Sequence, residues 1–214
     1  MNKADMSVEL IDFMGSDLNV VNAARVSFDK VSTEFNNKDE RLLAYLAKHG
    51  HWSPFAHTSI TVRCKVPLFL ARQLVKHQVG GSWNEVSRRY VDSDPEFWFP
   101  KVLHTRPENA KQGCGGVHPL SHTGLGFIEG TTREAFAMYK ALLDSDVAPE
   151  EARMVLPLNT MTEFMWTGSV MFFARVIKQR KDAHAQLVAQ EFAELLTAAI
   201  ADVYPKSLEA LLKD

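Results

Sequence analysis

The chain has 214 residues, of which 46% are hydrophobic and 23% are charged, a balance that is ordinary for a soluble globular protein. Its length predicts a single domain over residues 1–214, with enough chain to bury a core. The formal net charge of −2 excludes the global basic field that holds a nucleic-acid backbone, so we expect no nucleic-acid partner and a local site for any anion.

Two features of the sequence predict a protein of the cytoplasm. The opening segment MNKADMSVELIDFMG lacks the basic region and long apolar run of a signal peptide, and runs such as SVMFFARVI are too short to span a bilayer. Cys64 lies in an alternating run and Cys114 in a Gly-rich segment, which gives neither a disulfide framework nor a zinc pattern. We therefore expect reduced thiols, no membrane partner and no activated cysteine nucleophile.

Hydrophobic periodicity and capping residues predict the elements of the first part of the chain. Ile60, Val62, Cys64 and Val66 alternate with polar residues, which is typical of a half-buried strand. The predicted elements are a strand over 7–15, a helix over 18–28 capped by Asp17, a helix over 39–50 ended by Gly50, a strand over 58–66, and a helix over 67–77 with Pro67 in its first turn.

The second part of the chain begins with a long polar segment. Residues 104–126 predict an irregular loop, which is a candidate lid over a site. The elements predicted after it are helices over 131–146 and 149–156, a strand over 160–168, and a long helix from about Asp182 to Val203 with Pro205 past its end. Strands and helices are interspersed without regular βαβ units, so we predict an α+β fold.

The stretch KHQVGGSWNEVSRRY, residues 76–90, is too polar for a core element. Gly80 and Gly81 allow a sharp turn or the close approach of a ligand, because neither has a Cβ. Polar sets flank this turn: Arg72, Gln73 and Lys76 on one helix face, and Glu85, Ser87 and Arg89 on one side of an extended segment. Such groups suit a phosphate and a hydrogen-bonding ring. A solvated helix end, loop and surface strand remains the alternative on this stretch alone.

Two further clusters carry candidate site residues. Arg153, Arg180 and His184 lie beside apolar runs, and the spacing of the last two predicts that they share a helical face. Surface ion pairing is the alternative for Arg153. The third cluster comprises His49, His51 and His57. Its spacing matches no common zinc pattern and it has no carboxylate nearby, so we predict caps rather than a metal site.

Taken together, these segments resemble the flavin-dependent thymidylate synthases. Five segments carry the resemblance: NAARVSF (22–28), KHGHWSPFAH (48–57), ARQLVKHQVGGSWNEVSRRY (71–90), ARMVLPLN (152–159) and RKDAHAQ (180–186). The third is similar to the family signature R-H-R, seven residues, then Ser. They occur in the family's order and cover most of the chain, which makes the resemblance specific.

The resemblance implies an activity and an assembly. The enzyme would convert dUMP to dTMP, taking the carbon from methylenetetrahydrofolate and the hydride from NADPH through bound FAD. The family fold is a helix-flanked antiparallel sheet. It assembles as a homotetramer in which each active site is built from more than one subunit.

The resemblance also implies site residues. Arg180 matches the arginine that polarises the uracil and helps to ionise its N3, which is a catalytic role. The positions that match contacts to dUMP are Gln73, Lys76, Glu85, Ser87, Arg88, Arg89, Arg153 and Arg180. The positions that match contacts to FAD are His51, Ser53, Lys76, His77, Gln78, Glu85, Ser169, Arg175 and His184. Neither cysteine matches a nucleophile, and Ser87 has no convincing base beside it, so we expect it to bind phosphate.

The chain departs from the family pattern at the signature. R-H-R is replaced by Lys76, His77 and Gln78, and eight residues rather than seven separate Gln78 from Ser87. Lys76 keeps a point charge without the bidentate fork, and Gln78 has no charge. Arg175 stands where the family commonly has asparagine, and we hypothesise that it replaces part of the missing charge. A non-catalytic nucleotide-binding protein and a family member that has lost activity remain the alternatives.

Overall fold

The computed structural model describes residues 1–107 and 113–213, which form an α+β fold around one antiparallel sheet. The strands are β1 (Asn2–Lys3), β2 (Ser7–Met14), β3 (Ser59–Pro67), β4 (Gly81–Glu85), β5 (Glu96–Phe97) and β6 (Met161–Gly168). The helices are α1 (Asp17–Arg25), α2 (Asn37–Lys48), α3 (Leu68–Leu74), α4 (Ser121–Asp144), α5 (Pro149–Ala152), α6 (Val170–Lys181), α7 (Leu187–Ile200) and α8 (Pro205–Leu212). The predicted fold class is confirmed.

The sheet has the order β2-β3-β6-β4, and its strand pairs are all antiparallel. Successive side chains along each strand point to opposite sides, so the sheet has an inner and an outer face. Ile60, Val62, Cys64 and Val66 of β3 are fully buried on the inner face, where the helices pack. Since β3 is paired with β6 in register Val62↔Trp166, the inward residues of both strands build one core layer. The strands predicted at 7–15, 58–66 and 160–168 are therefore confirmed to within one residue at each end.

The predicted loop over 104–126 is wrong at its end, because α4 begins at Ser121. Glycines at 124, 126 and 130 lower the helix propensity of this segment, so its sequence does not predict the start of the helix. At Gly124 the glycine has a packing role, since a Cβ there would lie 2.5 Å from Cδ1 of Leu103. The part of the predicted lid over 108–112 lies outside the described residues.

The predicted helix from Asp182 to Val203 is also wrong at its start. Helix α6 ends at Lys181, and Oδ1 of Asp182 accepts the backbone N–H of His184 at 2.8 Å in a separate turn. Arg180 and His184 consequently do not share a helical face. Helix α6 itself was not predicted, because six of its twelve residues are buried and the amphipathic period is weak. Helix α8, which follows Tyr204, was also not predicted.

In the polar stretch 76–90, the helix before the turn and the strand after it are both shorter than predicted. Strand β4 ends at Glu85, and the backbone N–H of Tyr90 bonds to the Ser87 carbonyl oxygen in a turn, so Glu85, Ser87 and Arg89 do not project from one strand. Helix α3 ends at Leu74, which leaves Lys76 beyond the helix that was expected to carry it beside Arg72. Pro67 is the N-cap of α3 and the last residue of β3 rather than a first-turn residue.

Asp17 caps a helix, but a different one from the helix predicted. The N-cap of α1 is Ser16, and Asp17 lies in the first turn. The Asp17 carboxylate instead accepts the backbone N–H groups of Lys206 at 2.9 Å and Ser207 at 2.8 Å. These are two of the donors that the first turn of α8 leaves unpaired. The carboxylate therefore fastens the C-terminal helix to the N-terminal one.

Candidate active site

A layer of aromatic rings forms the floor of the candidate site on the inner face of the sheet. Trp166 is 1% exposed and stands nearly perpendicular to Trp83 and Phe172, at centroid distances of 5.3 Å and 5.2 Å. The His77 ring lies 6.3 Å from Trp166. This floor places the residues that follow α3 and those of β4 over one rigid surface.

Two glycines make room for Phe172 at one end of this floor. Gly81 of β4 is paired with Gly168 of β6. A Cβ at Gly81 would lie 2.5 Å from Cζ of Phe172, and a Cβ at Gly168 would lie 2.3 Å from its Cδ1. The phenylalanine ring therefore occupies the space that two side chains would fill. It joins the start of α6 to the sheet, and so it fixes where α6 presents its arginines.

The turn before β4 lies against α6. Gly80 has φ of +86°, in the left-handed region that favours glycine. Nη2 of Arg175 donates a hydrogen bond to the Val79 carbonyl oxygen at 2.7 Å, and a Cβ at Gly80 would come within 3.8 Å of the same nitrogen. Arg175 therefore brings a positive charge to the loop in which Gln78 has none.

The next arginine on α6 contacts the signature histidine. Nε of Arg180 donates a hydrogen bond to Nε2 of His77 at 3.0 Å, although the residues are 103 positions apart. Burial, together with the positive charges of Arg180 and Arg175, lowers the pKa of His77 from 6.5 to about 4. The imidazole is therefore neutral near pH 7, and it accepts the bond through an unprotonated nitrogen. Among residues 1–107 and 113–213, no group accepts a hydrogen bond from the two terminal nitrogens of Arg180.

Glu85 ends β4 with both carboxylate oxygens engaged. Oε1 accepts the hydroxyl of Thr162 at 2.7 Å, and Oε2 accepts the indole N–H of Trp83 at 3.2 Å. Glu85 is paired with Phe164, so its side chain lies on the inner face. Sequence reasoning missed both donors. Thr162 carried a usable signal, since it is a polar residue at an inward position of β6.

The turn after β4 carries a serine and two arginines. Oγ of Ser87 accepts hydrogen bonds from the backbone N–H of Arg89 at 3.3 Å and from its Nε at 3.1 Å. Nη1 of Arg88 donates to the Ser93 carbonyl oxygen at 2.8 Å. The Arg89 guanidinium lies 4.9 Å from the centre of the Tyr90 ring. The turn therefore presents a half-buried hydroxyl with cations beside it, which suits an anion such as a phosphate.

Gln73 of α3 contributes a buried acceptor. Its Oε1 is buried and has no hydrogen-bond partner among the described residues. A buried carbonyl oxygen without a donor costs free energy unless a ligand supplies one. Lys76 and Gln78, which follow the helix, have exposed side chains.

The remaining predicted residues are exposed or form hydrogen bonds within their own segments. Nε of Arg153 donates to the Glu150 carbonyl oxygen within its own turn, at 3.1 Å. His184 is exposed and bonds to Asp182. His51 and Ser53 are exposed near α6, while Ser169 caps that helix by accepting the backbone N–H of Phe172 at 3.2 Å. None of these five contacts His77, Glu85 or Arg180 through a hydrogen bond within residues 1–107 and 113–213.

The cysteines are outside this centre. Both are free; Cys64 is buried in the sheet core and Cys114 is exposed. Burial raises the pKa of the Cys64 thiol far above its ordinary value, so it is not a thiolate near neutral pH. Within the described parts of the chain, no group of three or more His, Cys, Asp and Glu side chains is arranged to hold a metal ion, and no helix is long and apolar enough to cross a bilayer.

Comparison with known proteins identifies the class of protein to which this fold and these segments belong. Residues 9–206 match the family described as thymidylate synthase complementing protein. The chain therefore belongs to that family, that of the flavin-dependent thymidylate synthases. Similar curated proteins carry that name: one from Thermosipho africanus is 36% identical over 208 residues, and one from Thermotoga neapolitana is 37% identical over 206 residues. Each alignment covers 96% of this chain and 90% of the relative.

Solved structures with a similar fold are also found. The fold is similar to a UMP/dUMP methylase, PolB, from Streptomyces cacaoi bound with 5-Br dUMP, with a TM-score of 0.86 and 30% identity over 97% of this chain and 95% of that one. The same methylase bound with 5-Br UMP has a TM-score of 0.84 and 32% identity over 98% and 95% of the two chains.

Proposed function

We propose that this chain is an active flavin-dependent thymidylate synthase that methylates C5 of dUMP. The observation that carries the proposal is the Arg180–His77 pair, which holds a guanidinium beside an aromatic floor with its two terminal nitrogens available. The partners are dUMP, methylenetetrahydrofolate and NADPH, and the cofactor is FAD. The whole chain acts as one domain in the cytoplasm, in keeping with its two free thiols.

Arg180 is the catalytic residue. Uracil C5 becomes nucleophilic when negative charge develops on N3 and O2, and a guanidinium beside that edge stabilises the charge. Burial lowers the pKa of Arg180 from its ordinary value, but arginine stays charged throughout the working range. The buried Cys64 thiol is unsuited to attack a ring carbon, which supports an activation that is electrostatic rather than covalent.

The nucleotide is held by acceptors at its base and sugar and by cations at its phosphate. Gln73 and Glu85 supply the acceptors, and the unpaired Oε1 of Gln73 supports a ligand donor at that place. Ser87 binds the phosphate as a hydrogen-bond donor, together with neighbouring cations. The dUMP-binding residues are Gln73, Lys76, Glu85, Ser87, Arg88, Arg89, Arg153 and Arg180.

The residues around the Gly80 turn fit a flavin nucleotide. The left-handed Gly80 leaves the backbone open to close approach, and Arg175 supplies a cation that anionic phosphates require. The residues that would hold FAD are His51, Ser53, Lys76, His77, Gln78, Glu85, Ser169, Arg175 and His184. Bound FAD supplies the hydride that converts the transferred carbon to a methyl group.

The active form is a homotetramer with shared active sites. Arg153 bonds only within its own turn among the described residues, so a second copy is the natural source of the arginine that completes each site. Large apolar side chains exposed on α4 and beside Arg153 support such contacts between copies. They are Leu120 at 65% exposure, Phe127 at 72%, Met138 at 53% and Met154 at 78%.

UMP methylation is a second candidate activity, favoured by the resemblance to a methylase solved with both 5-Br dUMP and 5-Br UMP. The test is tritium release from C5-labelled dUMP and UMP with FAD, NADPH and methylenetetrahydrofolate. We expect release from dUMP to exceed release from UMP. If protein that takes up FAD releases tritium from neither nucleotide, the proposed activity is overturned and the chain is a family member that has lost it. Protein that stays colourless with added FAD overturns the proposal as well.

A further inference from the structure

The Glu85 carboxylate is fixed by two donors from different parts of the fold. Thr162 lies 77 positions further along the chain on the neighbouring strand β6, and its hydroxyl meets Oε1 at 2.7 Å. Trp83 lies two positions earlier on β4, and its indole N–H meets Oε2 at 3.2 Å. Because each oxygen accepts one bond, the carboxylate cannot rotate without losing both.

Each donor is itself held in place. Thr162 is 5% exposed, so the surrounding core restricts its side chain. The Trp83 ring is stacked on Phe164 with centroids 3.4 Å apart and planes inclined by 19°, and it meets the edge of Trp166. These contacts restrict the indole to one orientation, so the N–H that reaches Glu85 is supplied by packing rather than by a mobile surface group.

A carboxylate held in this way is a preorganised acceptor. Each oxygen can accept a second hydrogen bond in addition to the one it has. Such a group repels phosphate and attracts the hydroxyl or N–H donors of a sugar or a base. A carboxylate that is already fixed loses little conformational entropy when the ligand binds, whereas a mobile one would lose more and so bind the ligand less tightly.

We propose that Thr162 and Trp83 are positioning residues that orient Glu85 as an acceptor for the sugar or base of dUMP. The proposal rests on the proposed function, because it takes Glu85 as a contact of the nucleotide. Both residues act on the nucleotide through the Glu85 carboxylate, to which each donates a hydrogen bond. Their effect should therefore disappear when the carboxylate is absent.

The test is a double-mutant cycle on dUMP affinity in the FAD-loaded protein, measured by calorimetry. Thr162→Val keeps the side-chain shape and removes the donor, and Trp83→Phe keeps an aromatic ring and removes the N–H. We expect each to weaken dUMP binding about fivefold to tenfold, as is usual for the net loss of one hydrogen bond. Thr162→Ser, which keeps a hydroxyl, restores most of the affinity. In a Glu85→Ala background the same substitutions change the affinity by less than about twofold.

Thr167→Val is the matched control. It removes a hydroxyl of the same strand that bonds to Thr61 at 2.9 Å on the opposite face of the sheet, and it should leave dUMP affinity unchanged. Bound flavin per chain and the thermal midpoint are recorded for every variant. Because Trp83 is only partly buried, its variant provides a readout even where Thr162→Val fails to fold.

Equal losses with and without Glu85 overturn the positioning role, as do unchanged affinities in both single variants. A wild type that fails to bind dUMP also overturns it. Wild-type protein that binds dUMP but releases no tritium overturns the proposed function alone, since the affinity cycle still reports on Glu85.

Discussion

His77 accepts the Nε–H of Arg180 at 3.0 Å, so the signature histidine and the arginine of α6 form one unit across 103 positions of the chain. The bond fixes one edge of the guanidinium and leaves the other edge open. A neutral imidazole is suited to this task, because a protonated one has no lone pair and would repel the arginine. This pairing gives the altered K-H-Q signature a role that does not depend on its missing arginines.

Replacement of Arg180 should affect the chemical step more than binding. We expect Arg180→Ala to lower kcat by about 10²-fold or more, because a donor aimed at developing charge acts mainly in the transition state. The KM for dUMP should change much less. Tritium release at saturating dUMP provides the measurement, with Arg41→Ala on the exposed side of α2 as the control. A large loss of affinity with normal turnover at saturation would contradict the catalytic role.

The His77 imidazole should make stability depend on pH in an acidic window. The pKa of His77 is 6.5 ordinarily and about 4 in the folded chain. As the pH falls, the imidazole is therefore protonated in the unfolded chain before it is protonated in the folded one. The stabilising contribution is therefore complete above pH 6.5 and declines as the pH falls toward 4. We expect His77→Gln to reduce this decline, measured as thermal midpoints between pH 7.5 and pH 4.5. Parallel curves for wild type and variant would refute it.

Loss of Arg175 should weaken retention of FAD. The guanidinium reaches the loop of Lys76 to Gly81 through the Val79 carbonyl oxygen, where it replaces charge that Gln78 does not provide. We expect Arg175→Ala to retain about tenfold less flavin, as expected for the loss of a charge-assisted contact. The ratio of flavin absorbance to protein absorbance is the measurement. Arg133→Ala on α4 is the surface control, and equal flavin content in the two variants would reject the assignment.

A methyl group at Gly81 should destabilise the fold. Because the new Cβ would meet the Phe172 ring at 2.5 Å, we expect Gly81→Ala to cost about 1–3 kcal/mol of unfolding free energy. Denaturant unfolding is the measurement, and Phe172→Leu should recover part of the loss. Gly126→Ala is a matched control in helix α4 with no atom within 4 Å of the new Cβ, and it should stabilise by about 0.5–1 kcal/mol. Equal effects at both glycines would argue against the steric account.

Removal of the Asp17 carboxylate should loosen the last helix. Asp17→Ala leaves two donors of α8 without their partner, and we expect it to cost about 1–2 kcal/mol. Hydrogen exchange at the amides of Lys206 and Ser207 is the direct measurement. Asp17→Asn, which keeps one acceptor oxygen, should lie between Asp17→Ala and the wild type. Exchange rates that do not change would show that the cap has no energetic role.

The strands were predictable because their hydrophobic residues recur at every second position. Strands β3 and β6 alternate one inward and one outward residue, and a single buried face explains both. Helix α6 lacks such a pattern because it is buried on several sides. The sheet and α7 that bury it come together only in the folded chain. The glycines of α4 made that segment look like a loop, although Gly124 allows close packing against Leu103 within a helix.

The site was predictable as a set of residues but not as an arrangement. Family resemblance supplied His77, Glu85 and Arg180, yet no spacing rule predicts a bond between positions 77 and 180. The bonds from Thr162 and Trp83 to Glu85 depend on which strands are neighbours, and this information is absent from either segment alone. The hydrogen bond of Arg153 to the Glu150 carbonyl oxygen is likewise a property of the folded chain.

The bond from Asp17 to α8 has a consequence for how the protein is made. Its partners are synthesised 189 and 190 residues later, so the contact between α1 and α8 cannot form until that length of chain has been made. The phenol of Tyr204, which bonds to the Met14 carbonyl oxygen, arrives equally late. The N-terminal strand and helix therefore reach their final packing only after the segment around Tyr204 and α8 has been synthesised.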